Sequence, residues 1–148
     1  MRENTLKQRL YATKPAFGVM CTFPSPPVVE MLGHLGFDWI LLDNEHGSIT
    51  VDTVEGCIAA AELTGMAPIV RPVGNKPEII APFLDRGAWG VQVPHVNTAE
   101  EARAAVDAVN TRRKAIGASS AGGGRPTTAS RAPPRTTPRK QTATLSCA

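Results

Sequence analysis

The chain has 148 residues and a formal charge of +3 at pH 7, but the charge is unevenly spread. Residues 1–110 hold all 13 acids against eight bases, a formal −5, while residues 111–148 hold the other eight bases and no acid, a formal +8. The basic balance therefore belongs to the tail, and no apolar stretch approaches the roughly 18 residues needed to span a bilayer.

The N-terminal segment Met1–Lys7 lacks the apolar core of a signal peptide. Cys21, Cys57 and Cys147 are odd in number and show no metal-ligand spacing, which reads as thiols in a reducing compartment. A cytoplasmic location is the expectation.

Residues 4–12 predict a short helix, and residues 16–21 a strand. Ser25 is placed to cap a helix opened by Pro26 and Pro27, where a missing N–H costs nothing, and Gly36 ends it. Asp38–Leu42 predicts the second strand. A helix over about 51–64, stopped by Gly65, puts Val54, Ile58, Ala61 and Leu63 mostly on one side. Ala67–Arg71 is the third strand. A helix is expected from Pro77, with Pro82 in conflict: an interior proline removes a backbone bond at ~3 kcal/mol, so the helix is kinked or starts later. Gly90–Pro94 is the fourth strand. Thr98 and Glu101 form a capping box for a last helix through about Val109.

Near-continuous apolar strands separated by amphipathic helices define an α/β protein with a parallel sheet under helices. Four βα units in 110 residues amount to half of a (β/α)₈ TIM barrel, which normally takes ~250 residues. A small doubly wound sheet is the alternative. In residues 111–148, Ile116 and Leu145 are the only large aliphatic residues and there is no aromatic. That composition buries too little apolar surface to offset ordering entropy, so two regions are expected: 1–110, a partial barrel, and 111–148, a disordered basic tail.

In a parallel sheet, reactive side chains collect at the C-terminal ends of the strands. The second strand ends in Asp43, Glu45 and His46, with the carboxylate of Asp43 three residues from a ring it could orient. The third ends in Arg71, a cation where an anionic substrate could meet it. Asp85 lies on the third long helix, before Arg86-Gly87. His95 follows the fourth strand and reads as a solvated or hydrogen-bonded loop histidine.

The blocks Asp38–Gly47, Pro68–Pro72, Leu84–Ala88 and Val93–Ala102 resemble, in order and spacing, the HpcH/HpaI aldolase family of class II pyruvate aldolases. The resemblance covers roughly residues 4–109. It implies a TIM barrel, a homo-oligomer, a divalent metal (Mg²⁺, Mn²⁺ or Co²⁺), and reversible cleavage of 4-hydroxy-2-oxo acids to pyruvate and an aldehyde. It further implies that His46 is the general base, that Asp43 and Asp85 hold this histidine, and that Arg71 stabilises the enolate. No residue of this chain matches a family metal ligand.

After Val109 the family pattern continues like Lys-Tyr-Pro-Pro-x-Gly-x-Arg-Gly, whereas this chain runs from Asn110 through Arg112, Arg113 and Lys114 to Ser119. Restoring one base to a permissible coding of that stretch and regrouping it reads Lys-Tyr-Pro-Pro-Glu-Gly-His-Arg-Gly-Phe. The expectation is a single-base loss near codon 110, leaving an incomplete and inactive aldolase prone to association through uncovered strand edges. Two other readings stand beside it. One is a module that binds nucleic acid through the basic tail. The other is an acyl-CoA lyase like the citrate lyase β-subunit, disfavoured by the Asp43–His46 block.

Overall fold

The computed structural model describes residues 4–120. Nine elements alternate along them: α1 (Thr5–Tyr11), β1 (Gly18–Cys21), α2 (Pro26–His34), β2 (Trp39–Asp43), α3 (Val54–Leu63), β3 (Ala67–Arg71), α4 (Pro77–Asp85), β4 (Gly90–Val91) and α5 (Ala99–Ser120). The strands form one sheet in the order β1-β2-β3-β4, every pair parallel. Sequential parallel strands joined by helical crossovers are the repeating unit of a (β/α)₈ barrel, and the described residues supply four strands of it.

The sheet is apolar on both faces, and alternate residues along each strand face opposite ways. Ile40, Leu42 and Val70 join Val29 of α2, Val54, Cys57, Ile58 and Ala61 of α3, and Phe83 of α4 in the larger core. Trp39, Leu41, Ala67 and Ile69 point to the other face, where Leu6 of α1 covers them. Asp43 shares the parity of Trp39 and Leu41, and Arg71 that of Ala67 and Ile69. Both therefore leave the strand ends on the side away from α2 and α3. Among the described residues β1 and β4 each have one unpaired edge, and Phe17, Met20 and Phe23 stand exposed along β1.

Helix ends follow the local chemistry. The Asn4 side chain accepts from Lys7 N at 2.9 Å. Ser25 occupies the N-cap position of α2 in extended conformation, but its side chain makes no capping bond; Pro27 removes one of the two N–H groups that such a bond could serve. Thr98 Oγ1 accepts from Glu101 N at 3.2 Å, and Glu101 Oε2 accepts in return from Thr98 N at 3.0 Å, the expected capping box. α3 starts at Val54, not 51, because Thr50 and Thr53 bond each other and hold residues 51–53 in a turn.

Three expectations shift. α4 starts at Pro77 and runs to Asp85 with Pro82 inside it, so the start is not delayed. β4 covers only Gly90–Val91, although Gln92 N still donates to Val70 O at 2.9 Å. β3 ends at Arg71-Pro72 and Pro94 has no N–H, so the ladder cannot extend on either side. α5 continues past Val109 to Ser120, through the boundary expected at residue 110. Neither glycine nor proline interrupts residues 99–116, and the alanine-rich stretch has strong helix propensity. The remainder of the expected disordered tail lies outside the described residues. No helix among the described residues is long and apolar enough to cross a membrane.

Candidate active site at the strand ends

The turn after β2 is built on close backbone approach. A Cβ on Gly47 would lie 2.3 Å from Asp43 O and 2.5 Å from Thr22 O, so only glycine lets this turn fold back on β1 and β2. Ser48 N donates to Thr22 O at 2.7 Å and Asn44 Nδ2 to Ile49 O at 2.7 Å, which fixes both ends of the turn.

Asp43 and Arg71 are register partners on adjacent parallel strands. Asp43 is fully buried. Its Oδ1 accepts from Arg71 Nε at 2.9 Å and its Oδ2 from Arg71 Nη2 at 2.6 Å. Oδ1 also accepts the backbone N–H groups of Glu45 at 2.9 Å and His46 at 3.2 Å. The guanidinium first, and these amides after it, outweigh burial and hold the Asp43 carboxyl at about 2. The same pairing raises Arg71 above its ordinary value.

Asp43 therefore anchors the backbone of His46 and the side chain of Arg71. It does not reach the His46 ring, whose Nε2 lies 3.8 Å from Glu45 Oε1 and whose side chain is 70% exposed. Glu45 is the residue that gathers the site: its Oε2 lies 3.3 Å from Arg71 Nε, and its Oε1 lies 2.9 Å from His95 Nε2. Thus β2, β3 and the loop after β4 meet in one charged cluster. His95, set aside on its sequence position, enters through that contact, and it does so from a left-handed backbone with φ 57°. No sequence signal marks such a conformation in advance.

Asp85 is exposed at the C-terminal end of α4, four residues before Trp89 N bonds Pro68 O on the way into β4. That end of the helix adjoins the N-terminal ends of the strands. The structure does not bring Asp85 to His46.

Arg71 commits Nε and Nη2 to Asp43, with Met20 Sδ 4.0 Å from Nη2, and leaves Nη1 without an acceptor among the described residues. A guanidinium fixed along one edge and open at another is pre-organised for an oxyanion. The divalent metal that the resemblance implies finds no such provision. Among the described residues no three His, Cys, Asp or Glu side chains converge as a ligand set. The Asp43 oxygens are already filled by Arg71 and backbone N–H groups. The described residues do not fit the ion.

A parallel β/α sheet with a buried carboxylate–arginine pair and histidines at its C-terminal strand ends has the arrangement of half an α/β barrel, with its polar side chains at the end where such barrels collect them. Its kin are specific: a profile of the HpcH/HpaI aldolase/citrate lyase family matches residues 18–144, and the chain belongs to that family. It is similar to a pyruvate aldolase of Rhizobium etli, 40% identical over 106 residues, which cover 72% of this chain and 42% of that protein. A 2-dehydro-3,6-dideoxy-6-sulfogluconate aldolase of Pseudomonas putida is 45% identical over 85 residues, 57% of this chain and 33% of that one. In structure it is similar to an HpcH/HpaI aldolase/citrate lyase family protein from Burkholderia cenocepacia J2315, with a TM-score of 0.67 at 30% identity over 72% of this chain and 42% of that one. The chain thus spans less than half the length of the proteins it matches.

Proposed function

We propose that this chain carries the first half of a class II pyruvate aldolase site, one that cleaves 4-hydroxy-2-oxo acids to pyruvate and an aldehyde. The observation that carries the reading is Arg71, fixed by Asp43 at the C-terminal strand ends with Nη1 open. Family membership and similarity to a pyruvate aldolase support it.

In this reading Arg71 opposes the negative charge that develops on the 2-oxo oxygen as the enolate forms. His46, exposed on the turn beside it, moves the proton at the pyruvate methyl carbon. Asp43 keeps Arg71 and the turn in place. Asp85 is carried into the site by resemblance alone. The divalent metal implied by the family is assigned no ligand among the described residues, and no described residue is assigned to the substrate's aldehyde side.

Exchange of the pyruvate methyl protons in deuterated buffer tests the base directly, in a protein that carries these residues together with the remaining strands. There His46→Ala lowers exchange and aldol cleavage together by roughly 10²-fold or more. Unchanged exchange removes His46 from the role.

A further inference from the structure

The strand-end cluster sets two carboxylates, Asp43 and Glu45, against one guanidinium, Arg71, which both of them touch. An anionic 2-oxo acid that arrives at Arg71 Nη1 adds a further negative charge, and only a protonated imidazole among the cluster's neighbours can balance it.

Two imidazoles border the same Glu45 oxygen, and they are not equivalent. His95 Nε2 stands at 2.9 Å from Glu45 Oε1, a hydrogen bond; His46 Nε2 stands at 3.8 Å, which is not one. His95 is also held from behind. Its carbonyl oxygen accepts from Asn97 Nδ2 at 3.1 Å, and Asn97 N donates to Glu101 Oε2 at 2.7 Å, in the first turn of α5. A histidine keeps a left-handed backbone, φ 57°, where its surroundings over-determine it, and such positions cluster at ligand sites.

We propose that His95 is the second cation of this site, taking up a proton as a small carboxylate binds at Arg71. The proton comes from solvent and goes to the imidazole, whose Nε2–H then donates to Glu45. The summed charge of Asp43, Glu45, Arg71 and His95 passes from one negative to zero before the ligand's own charge is added. Facing His95 are Glu45 and His46 of the turn after β2, with Asp43 of β2 and Arg71 of β3 behind Glu45. On its own segment, Glu101 is occupied by the N–H groups of Asn97 and Thr98. His95 is a positioning residue: it acts on the ligand through Glu45 and Arg71. The inference rests on the reading of Arg71 as the anion contact and deepens it, since it ties recognition of a 2-oxo carboxylate to a proton.

The test is calorimetric titration of the 148-residue chain with pyruvate, in buffers of different ionisation enthalpy and at several pH values. The expected result is about one proton taken up per pyruvate above the ordinary imidazole range, with affinity falling about tenfold per pH unit there. His95→Asn keeps a residue type that tolerates the left-handed backbone; it binds pyruvate more weakly and without proton uptake. Glu45→Gln removes the carboxylate that needs balancing; it binds at least as tightly as the unsubstituted chain, also without uptake. Binding without uptake in the unsubstituted chain overturns the proposal while leaving Arg71 as the anion contact. So does loss of uptake in His46→Gln alongside its retention in His95→Asn. Absence of any pyruvate binding overturns the Arg71 reading itself, and this proposal with it.

Discussion

Asp43 and Arg71, 28 residues apart in sequence, face each other in register on β2 and β3 and close a two-point ion pair at 2.6 and 2.9 Å. The pair is sheltered, with Asp43 at 0% and Arg71 at 20% side-chain exposure, so each member depends on the other. Removing one partner of such a pair leaves an uncompensated charge, a larger loss than the pair's own net contribution.

Arg71→Ala therefore lowers unfolding free energy by about 3 kcal/mol, measured by urea denaturation of the 148-residue chain. Arg71→Lys restores the charge but not the fork of N–H groups, and recovers only part of the loss. A stability change below about 1 kcal/mol for the alanine variant would show that water or a neighbouring side chain takes over from the guanidinium.

The Asp43 carboxyl sits at about 2 against an ordinary 3.8, so its contribution to stability is present above the ordinary value and is lost as pH falls through that interval toward 2. The amount at neutral pH is about 2 kcal/mol. Asp43→Asn removes this pH dependence and lowers stability at pH 7. The check is the denaturation midpoint from pH 7 down to pH 2, where the two proteins converge at the acid end.

Gly47→Ala forces a methyl group to within 2.3 Å of the Asp43 carbonyl oxygen, so the turn must open. Overpacking against backbone costs about 1–3 kcal/mol. The same opening displaces Glu45 and His46. Proton NMR of the His46 and His95 rings reports it, and unmoved signals from both would mean that the turn absorbs the methyl elsewhere.

For catalysis, the 148-residue chain on its own shows no appreciable pyruvate release from 4-hydroxy-2-oxo acids, even with excess Mg²⁺ or Mn²⁺. Its described residues supply an oxyanion partner and a histidine but no convergent ligand set. A free ion in water lacks the geometry and shielding on which much of the rate advantage depends. An assay beside a full-length pyruvate aldolase decides the matter, and comparable rates would reveal ligands among the residues not described.

The repeating βα order was legible because the apolar strands and the glycine stops at Gly36 and Gly65 report on local conformation. Arg71 and Asp43 were singled out because both end strands, and through family resemblance, and the structure places both at the C-terminal strand ends. Their pairing with each other was not: it depends on the register of two strands across a crossover, which no local pattern encodes. The expectation that Asp43 holds the His46 ring failed for that reason, since a carboxylate three residues from an imidazole is equally close to the backbone N–H groups of its own turn. His95 was legible as a solvated or hydrogen-bonded loop histidine, but its partner Glu45 was not, because the left-handed backbone that aims the ring leaves no mark in the sequence. The continuation of α5 to Ser120 was missed because the change in charge at residue 110 is a change of composition, and helix propensity does not follow net charge.

Asp43, Glu45 and Arg71 all lie within the single crossover β2-α3-β3, residues 39–71. Its two strands pair directly, and the contacts that join them close one loop of modest length. Closing the charged pair therefore needs only that one crossover, with neither β1 nor β4 in register, so residues 39–71 are the shortest continuous stretch that contains it. His95, by contrast, reaches Glu45 only from the loop after β4.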